Sequence, residues 1–306
     1  MQNNKLFYLT AISDEIENYN ARKGVLDKLL VLNKITKAID DYFSHSNELR
    51  KKQYETLSAK FAFTPSGNKE MAASNLVSSN ITEHVSYRKN SNVDAINTFG
   101  DCASRVYSRF NITRAVSQFG VKGAPNERKG ALRFTCKAIA SYASVMQRRG
   151  DTGLPSVDEI AFNNVKCTND YVKKMEDTRK AKVEHYKSNM LSSIERRINV
   201  VQEVKDLAHK VENYGYTIGN SLKDIFTHEL GHMVDRHNVN KTRDIKRLGY
   251  SQGWGYLLSQ YATSSDSEYF AEAFCLYVNY PDQHWRLEPT LLALLKKMDL
   301  SKNETY

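Results

Sequence analysis

The run His228-Glu229-Leu-Gly-His232 constrains the fold of this chain more than any other feature. Residues four apart lie one above the other on the same face of a helix, so both imidazole rings can aim at one point. Glu229 points beside them. Two imidazoles and a carboxylate within one helical turn can hold a divalent metal ion and its water. The pattern therefore predicts a metal-binding helix, begun by Ser221 and Asp224 and ending near residue 236.

A second segment places Glu268 and Glu272 in an otherwise apolar helical run that ends at Val278. Like charges four residues apart destabilise an isolated helix by a few tenths of a kcal/mol. Burying either carboxylate costs several kcal/mol more unless a cation or hydrogen-bond donors meet it. We therefore predict that Glu268 is the third metal ligand and that Glu272 accepts the free N–H of a ligating histidine. An alternative is a capping box, in which Glu268 only reaches back to the backbone at Ser265.

Three protein ligands would leave one position open for water, which is typical of a catalytic zinc site. Zinc lowers the pKa of its bound water to about 7, and Glu229 can then act as general base. Asp235, three residues after His232, is an alternative third ligand, but we prefer it as an acid that supports the ligands from outside. The longer signature with a third histidine is absent, since Asn238 stands at that position. We expect one Zn²⁺ per chain.

These motifs resemble the gluzincin zinc metallopeptidases, most closely the catalytic domain of anthrax lethal factor and related phage and toxin zincin-like domains. The resemblance covers residues 221–278. That family has a tyrosine seven residues before the glutamate ligand, and here the position is Tyr261. The resemblance implies that Tyr261 donates its phenol to the oxyanion that develops in the transition state. Without the family, Tyr261 would equally be an ordinary aromatic residue beside a helix.

Periodicity predicts a mainly α fold, α+β with a minimal sheet, in which a helical N-terminal region precedes a zincin-like metallopeptidase domain. We place a basic helical domain of unknown role at 1–150 and the metallopeptidase domain at 151–306. The predicted helices of the first part cover 12–44, 47–63, 101–119 and 131–148. A long charged helical region is expected over 157–211, broken near Asn163 and Cys167.

Two further segments are candidates for substrate binding. Alternation of large and small residues predicts a brief strand at 214–218, where Tyr216 would face an extended peptide held by edge pairing. Between the motif helices, a glycine-rich loop contains Trp254, which could line a substrate pocket. Trp254 would equally serve as a core residue. His237 is expected to face solvent at the end of the metal helix.

The positive charge is confined to the first part of the chain. Residues 1–150 contain 23 Lys and Arg against 13 Asp and Glu, whereas residues 151–306 contain 21 against 22. This excess suggests an acidic protein or a nucleic acid as partner of the first part. The four cysteines are widely separated, which excludes a disulfide framework and a cysteine zinc cage and indicates reduced thiols.

The N-terminal residues lack the pattern of a secretory signal peptide, and no run is long enough to span a membrane. A cytoplasmic location fits best, with a virus particle or export by a specialised route as alternatives. We predict a zinc-dependent endopeptidase that cleaves a protein or peptide. The alternative is a structural or assembly protein, for example of a phage particle, that carries a zincin-like module.

Overall fold

Helix is the dominant secondary structure, as the periodicity predicts, and a small sheet accompanies it. The computed structural model describes residues 2–22, 24–112, 114–127, 138–145, 157–212 and 214–303. In chain order its elements are α1 (Gln2–Ala21), α2 (Val25–Lys60), α3 (Lys69–Ser78), β1 (Val85–Ser86), α4 (Val93–Arg109), β2 (Gln118–Val121), β3 (Ala140–Val145), β4 (Val157–Phe162), α5 (Asn169–Arg196), α6 (Gln202–Ala208), α7 (Leu222–His237), α8 (Val239–Ser251), α9 (Gly255–Leu258), α10 (Asp266–Asn279) and α11 (Pro289–Met298). Short 3₁₀ helices cover Tyr261–Thr263 and Pro281–Arg286.

The sheet has the strand order β1-β2-β4-β3. Strands β1, β2 and β4 are parallel, whereas β3 runs antiparallel to β4, with Tyr142 opposite Ile160. β3 lies at the end of the described sheet and packs beside α7. Four secondary-structure predictions are therefore wrong in part. Residues 140–145, expected within a helix, form β3, and residues 157–162, also expected to be helical, form β4. The expected helix at 101–119 ends at Arg109, before β2. The expected helix at 12–44 is divided between α1 and α2, and α2 continues through the break that was expected between residues 44 and 47. The rest of the expected helix at 131–148 lies mostly outside the described residues.

Helix α7 lies at the centre of the fold. It packs against α10, α4 and β3. Aromatic rings join these layers: Phe99 of α4 stacks on Phe119 of β2 with 3.8 Å between ring centroids, and Phe226 of α7 meets both rings edge-on. Apolar and aromatic side chains in such contacts are the main stabilising component of a core. The His228-Glu229-Leu-Gly-His232 motif is consequently carried by a helix that is packed on several sides.

The hydrophobic core is continuous from Leu57 in α2 to Leu295 in α11. It therefore contains residues from both parts of the sequence that the charge distribution separates. The predicted domain boundary after residue 150 lies outside the described residues and stays a prediction.

The predicted strand at 214–218 is reduced to a single bridge between Gly215 and Ser259. Tyr216 follows that bridge, and its carbonyl accepts a hydrogen bond from the Tyr261 N–H at 2.8 Å. Cys102, Cys167 and Cys275 are free and buried, as expected, and Cys136 lies outside the described residues. Among the described helices, none is both long and apolar enough to cross a membrane.

Candidate metal centre

Helices α7 and α10 bring three donor atoms together. Glu268 Oε2 lies 3.1 Å from His228 Nε2 and 3.2 Å from His232 Nε2. The candidate ligand atoms of these three residues all lie within 4.8 Å of one another, and the cluster could hold a metal ion. The structure therefore brings Glu268, rather than Asp235, to the two histidines.

The geometry of this cluster fits a tetrahedral metal site. Ligand atoms about 2.0 Å from a tetrahedral zinc ion are separated by roughly 3.3 Å, close to the two distances between Glu268 Oε2 and the imidazole nitrogens. Glu268 Oε2 is also buried without a hydrogen-bond partner among the described residues. A buried carboxylate oxygen that accepts no hydrogen bond is costly, and a cation between it and the two nearby nitrogens would compensate that cost. The donor set and its geometry therefore fit zinc.

Local structure explains how each helix presents its ligands. Helix α7 begins with a capping box, because Asp224 N–H donates to Ser221 Oγ while Ser221 N–H donates to the Asp224 carboxylate. Helix α10 begins at Ser265, whose hydroxyl accepts from the Glu268 N–H at 3.1 Å. The Glu268 carboxylate turns to the histidines instead of reaching back to the backbone. Capping by Ser265 is thus present, but it does not account for the Glu268 side chain.

Glu272 lies behind His228, on the side away from Glu268. His228 Nδ1 lies 2.7 Å from Glu272 Oε1. The other oxygen of Glu272 accepts from the Ser259 hydroxyl at 2.7 Å and from the Ile218 N–H at 2.5 Å. Three groups thus hold a buried carboxylate in contact with the outer nitrogen of the His228 ring, the position that a carboxylate supporting a metal-binding histidine would occupy.

The charge around the histidines favours a cation. Burial by itself lowers the pKa of His228, but the neighbouring Glu268 and Glu272 carboxylates outweigh it and raise the pKa to about 10. Burial also acts to raise the pKa of Glu268, yet contacts with His228 and His232 hold it well below its usual range. A group of carboxylates that stabilises positive charge on an imidazole will also stabilise a divalent cation at the same place.

Glu229 is buried beside the ligands and is fixed by a strand. The Tyr142 N–H of β3 donates to Glu229 Oε2 at 2.6 Å. Burial raises the pKa of Glu229, while the pKa of Glu268 is lowered. Carboxylates whose pKa values are driven apart are suited to different tasks, one as a ligand and one as a group that exchanges protons.

Tyr261 lies over the centre in the 3₁₀ helix before α10. Its ring stacks on His228 with 5.8 Å between centroids and on Tyr216 with 5.6 Å. Burial, followed by the charge of Glu268, raises the pKa of the Tyr261 phenol, which therefore stays protonated at neutral pH and can donate a hydrogen bond. Tyr216 is half-exposed at the outer side of this stack, where it can meet a bound molecule.

Two candidate residues do not join the centre. Asp235 is buried, but its carboxylate accepts from the Thr242 hydroxyl at 2.5 Å and pairs with Lys246. Asp235 therefore joins α7 to α8. In the described part of the chain, none of its contacts is with His228, His232 or Glu268, so the predicted support of the metal ligands by Asp235 is not seen. Trp254 is buried in the hydrophobic core, which favours the core interpretation over a substrate pocket.

Sequence reasoning missed a polar cluster on the sheet side of the centre. The Tyr142 hydroxyl donates to Asp158 Oδ1 at 2.5 Å, and His237 Nε2 lies 2.7 Å from Asp158 Oδ2. The Tyr142 ring also stacks on His232, with 6.2 Å between centroids. His237 is exposed at the end of α7, as expected, and it also contacts the sheet through Asp158. Ser267 was missed as well, and its hydroxyl lies 3.2 Å from His232 Nδ1. Its position directly before the candidate ligand Glu268 was the sequence signal that could have identified Ser267.

Comparison with known proteins gives one similarity. Residues 157–288 match the family model described as anthrax toxin lethal factor, N- and C-terminal domain. The matched segment begins at β4 and includes α7 and α10, which carry the metal cluster. Comparisons with curated proteins and with solved structures gave no match. The chain is therefore similar to lethal factor over this segment. The family model is named for both the N- and the C-terminal domain of that toxin, so the match does not distinguish between them.

Proposed function

We propose that this protein is a zinc-dependent endopeptidase of the gluzincin type, which hydrolyses peptide bonds in a protein substrate. The observation that carries the proposal is the convergence of His228 Nε2, His232 Nε2 and Glu268 Oε2, in which the carboxylate oxygen lies 3.1 and 3.2 Å from the two nitrogens, close to the separation of two ligands on tetrahedral zinc. Glu229 lies within the same turn of α7 as these histidines. The similarity to the lethal factor family over residues 157–288 supports the proposal.

The three side chains would hold one Zn²⁺, which when bound polarises a water and a substrate carbonyl. Glu229, whose pKa is raised by burial, takes the proton of the attacking water and gives it to the leaving amine. The Tyr261 phenol donates a hydrogen bond to the carbonyl oxygen as negative charge develops on it. Glu272 keeps the His228 ring in place during the reaction.

The strand that we infer for substrate binding is β3, rather than the segment at 214–218. β3 ends the described sheet and passes beside α7, and its Tyr142 N–H reaches Glu229. An extended peptide that lies along β3 would therefore place a peptide bond next to the general base. Tyr216, stacked on Tyr261, would contact the same peptide from the opposite side.

The test combines metal analysis with proteolysis of a general substrate, fluorescently labelled denatured casein. We expect about one zinc per chain, release of labelled peptides, and loss of zinc in His228→Ala. Glu229→Gln should keep its zinc but lose proteolysis, whereas the matched control Glu203→Gln, at an exposed position of α6, should cleave like the wild type. A chain that folds normally, binds no zinc and cleaves nothing would contradict the proposal and favour the assembly module.

A further inference from the structure

The far end of the α1–α2 hairpin exposes an unusual amount of aliphatic surface. Leu26, Leu29 and Leu30 are 77%, 52% and 63% exposed. Val25 and Leu32 are also exposed. Residues three and four apart share a helix face, so these five side chains form one continuous stripe within about two turns of α2. We call this stripe the hairpin tip.

The hairpin tip lies far from the rest of the described molecule. Helix α1 packs mainly against α2. Arg50, near the middle of α2, donates to the carbonyls of Lys297 at 3.0 Å and Asp299 at 2.7 Å, so the C-terminal part of α2 is held against the end of α11. Val25 precedes Arg50 by about 37 Å of helix. The tip is therefore an exposed projection, and its apolar side chains are not needed for the core.

Basic residues surround the aliphatic stripe. Between residues 22 and 37 the sequence has five basic residues, Arg22, Lys23, Lys28, Lys34 and Lys37, against the single acid Asp27. Arg22, Lys34 and Lys37 line one groove on the hairpin together with Leu30, and Asp27 also borders it. Glu15 and Glu17 are the acidic residues of α1 closest to its C-terminal end. Both lie about one helical turn or more before Ala21, the last residue of α1.

We propose that the hairpin tip binds the surface of an anionic lipid membrane. Exposed leucines beside lysine and arginine are the features by which a helical segment inserts at the boundary between head groups and acyl chains. Each basic residue near such a surface gains from the negative head groups. The stripe is too short to span a bilayer, so the tip would lie in the interface. A nucleic-acid partner would account for the basic side chains but would give the exposed leucines no role. A lipid surface accounts for both and therefore fits better.

Sedimentation with lipid vesicles tests the proposal on the whole chain. The wild type should bind vesicles of phosphatidylcholine with roughly 30 mol% phosphatidylserine, bind pure phosphatidylcholine much less, and lose binding as salt rises. Leu26→Gln combined with Leu29→Gln should weaken binding by about tenfold or more. Lys34→Gln combined with Lys37→Gln should weaken it by a similar factor, since each lysine contributes about fivefold.

The matched control is Ile198→Gln combined with Leu248→Gln, which removes exposed aliphatic side chains elsewhere and should bind vesicles like the wild type. All the variants change exposed residues, and circular dichroism would check their folding. Equal binding of the tip variants and the wild type, or no binding to anionic vesicles, would overturn the proposal. The proposal would also be overturned if the protein formed a dimer that only the leucine variant abolished. It would equally be overturned if the protein bound duplex DNA and only the lysine variant abolished that binding. Casein cleavage is measured separately, so failure here leaves the proposed peptidase activity untouched.

Discussion

In the proposed metal centre, Glu272 would act only through other groups, so its contribution can be separated from that of the ligands. Its carboxylate meets His228 Nδ1, the Ser259 hydroxyl and the Ile218 N–H. Removing it in Glu272→Ala frees the His228 ring, and we expect zinc affinity to fall about 10- to 100-fold. Competition with a chelating dye would measure this.

Ser259→Ala is the control for that substitution, because it removes one donor to Glu272 but leaves the contact between Glu272 and His228. We expect a zinc affinity within about threefold of the wild type for this variant. Unchanged affinity in Glu272→Ala would mean that the His228 ring is held by α7 alone.

Tyr261 is placed to act in the transition state rather than in binding the ground state. Tyr261→Phe keeps the ring that stacks on His228 and removes only the hydroxyl. We expect kcat on casein-derived peptides to fall by about 10²-fold while KM changes little and zinc remains bound. Tyr216→Phe, at the other ring of the same stack, should keep nearly full kcat. Full activity of Tyr261→Phe would remove the proposed role of the phenol.

Residues whose arrangement depends only on their spacing within one helix could be predicted from the sequence. His228 and His232 are one turn apart on a single helix, and Glu268 was found because a carboxylate in an apolar run needs a compensating charge. The same reasoning did not find the partner of Asp235. Lys246 is eleven residues away on the next helix, and only the packing of α8 against α7 brings the two charges together.

The close contact between α7 and α10 sets the distance between the histidines and Glu268. A Cβ on Gly231 would lie 3.1 Å from Ala271 Cα and 3.2 Å from Phe274 Cβ, so Gly231→Ala must separate the helices by a few tenths of an ångström. Ligand distances in metal sites tolerate only about 0.2 Å. We therefore expect zinc affinity to fall by about tenfold with helix content unchanged, since alanine favours helix over glycine.

Gly67→Ala provides the comparison for that substitution, because an added Cβ there meets no atom within 4 Å. Its zinc affinity should equal that of the wild type. Isothermal titration of zinc into the metal-free proteins measures both. An unchanged zinc affinity in Gly231→Ala would show that α10 can retain Glu268 in place after the helices move apart.

The high helix content was predictable from the sequence, but the strands and several helix limits were not. In and just before β3, Ile139, Tyr142 and Val145 recur every three residues, a spacing that resembles one face of a helix. In β4, Asp158 and Glu159 disfavour a strand by their intrinsic propensity. Tertiary contacts reverse that preference, since the buried Asp158 carboxylate meets the Tyr142 hydroxyl and His237.

At the scale of the whole molecule, one buried ion pair joins the N-terminal part of the chain to its C-terminal end. Arg109, the last residue of α4, contacts the fully buried Asp299 carboxylate at 2.5 Å. The Tyr277 hydroxyl donates to the same carboxylate at 3.1 Å. Because α4 also packs on α7, which carries both candidate metal-binding histidines, this pair connects the region before residue 150 with the part that carries the motifs. The N-terminal part is therefore integral to the described core.

Burial acts to raise the pKa of Asp299, but the hydrogen bonds and charge of Arg109 outweigh it and hold that pKa below its ordinary value. The folded-state pKa thus lies below the unfolded value of about 3.9. The pair stabilises the fold fully above that value and loses its effect as the pH falls through the folded-state pKa. Arg109→Met leaves a buried charge without its cation and should lower the free energy of unfolding at neutral pH by about 3–5 kcal/mol.

Urea unfolding in the presence of EDTA measures this effect without a contribution from zinc. Arg109→Met combined with Asp299→Asn should recover much of the loss, because removing both charges leaves no uncompensated group. The stability difference between the wild type and Asp299→Asn should shrink as the pH is lowered from about 6 to about 3, since below about 3.9 the unfolded chain takes up a proton at residue 299, while Arg109 holds the pKa of the folded carboxylate lower. A difference that stays constant over this range would show that Asp299 holds the two ends together through hydrogen bonds rather than through its charge.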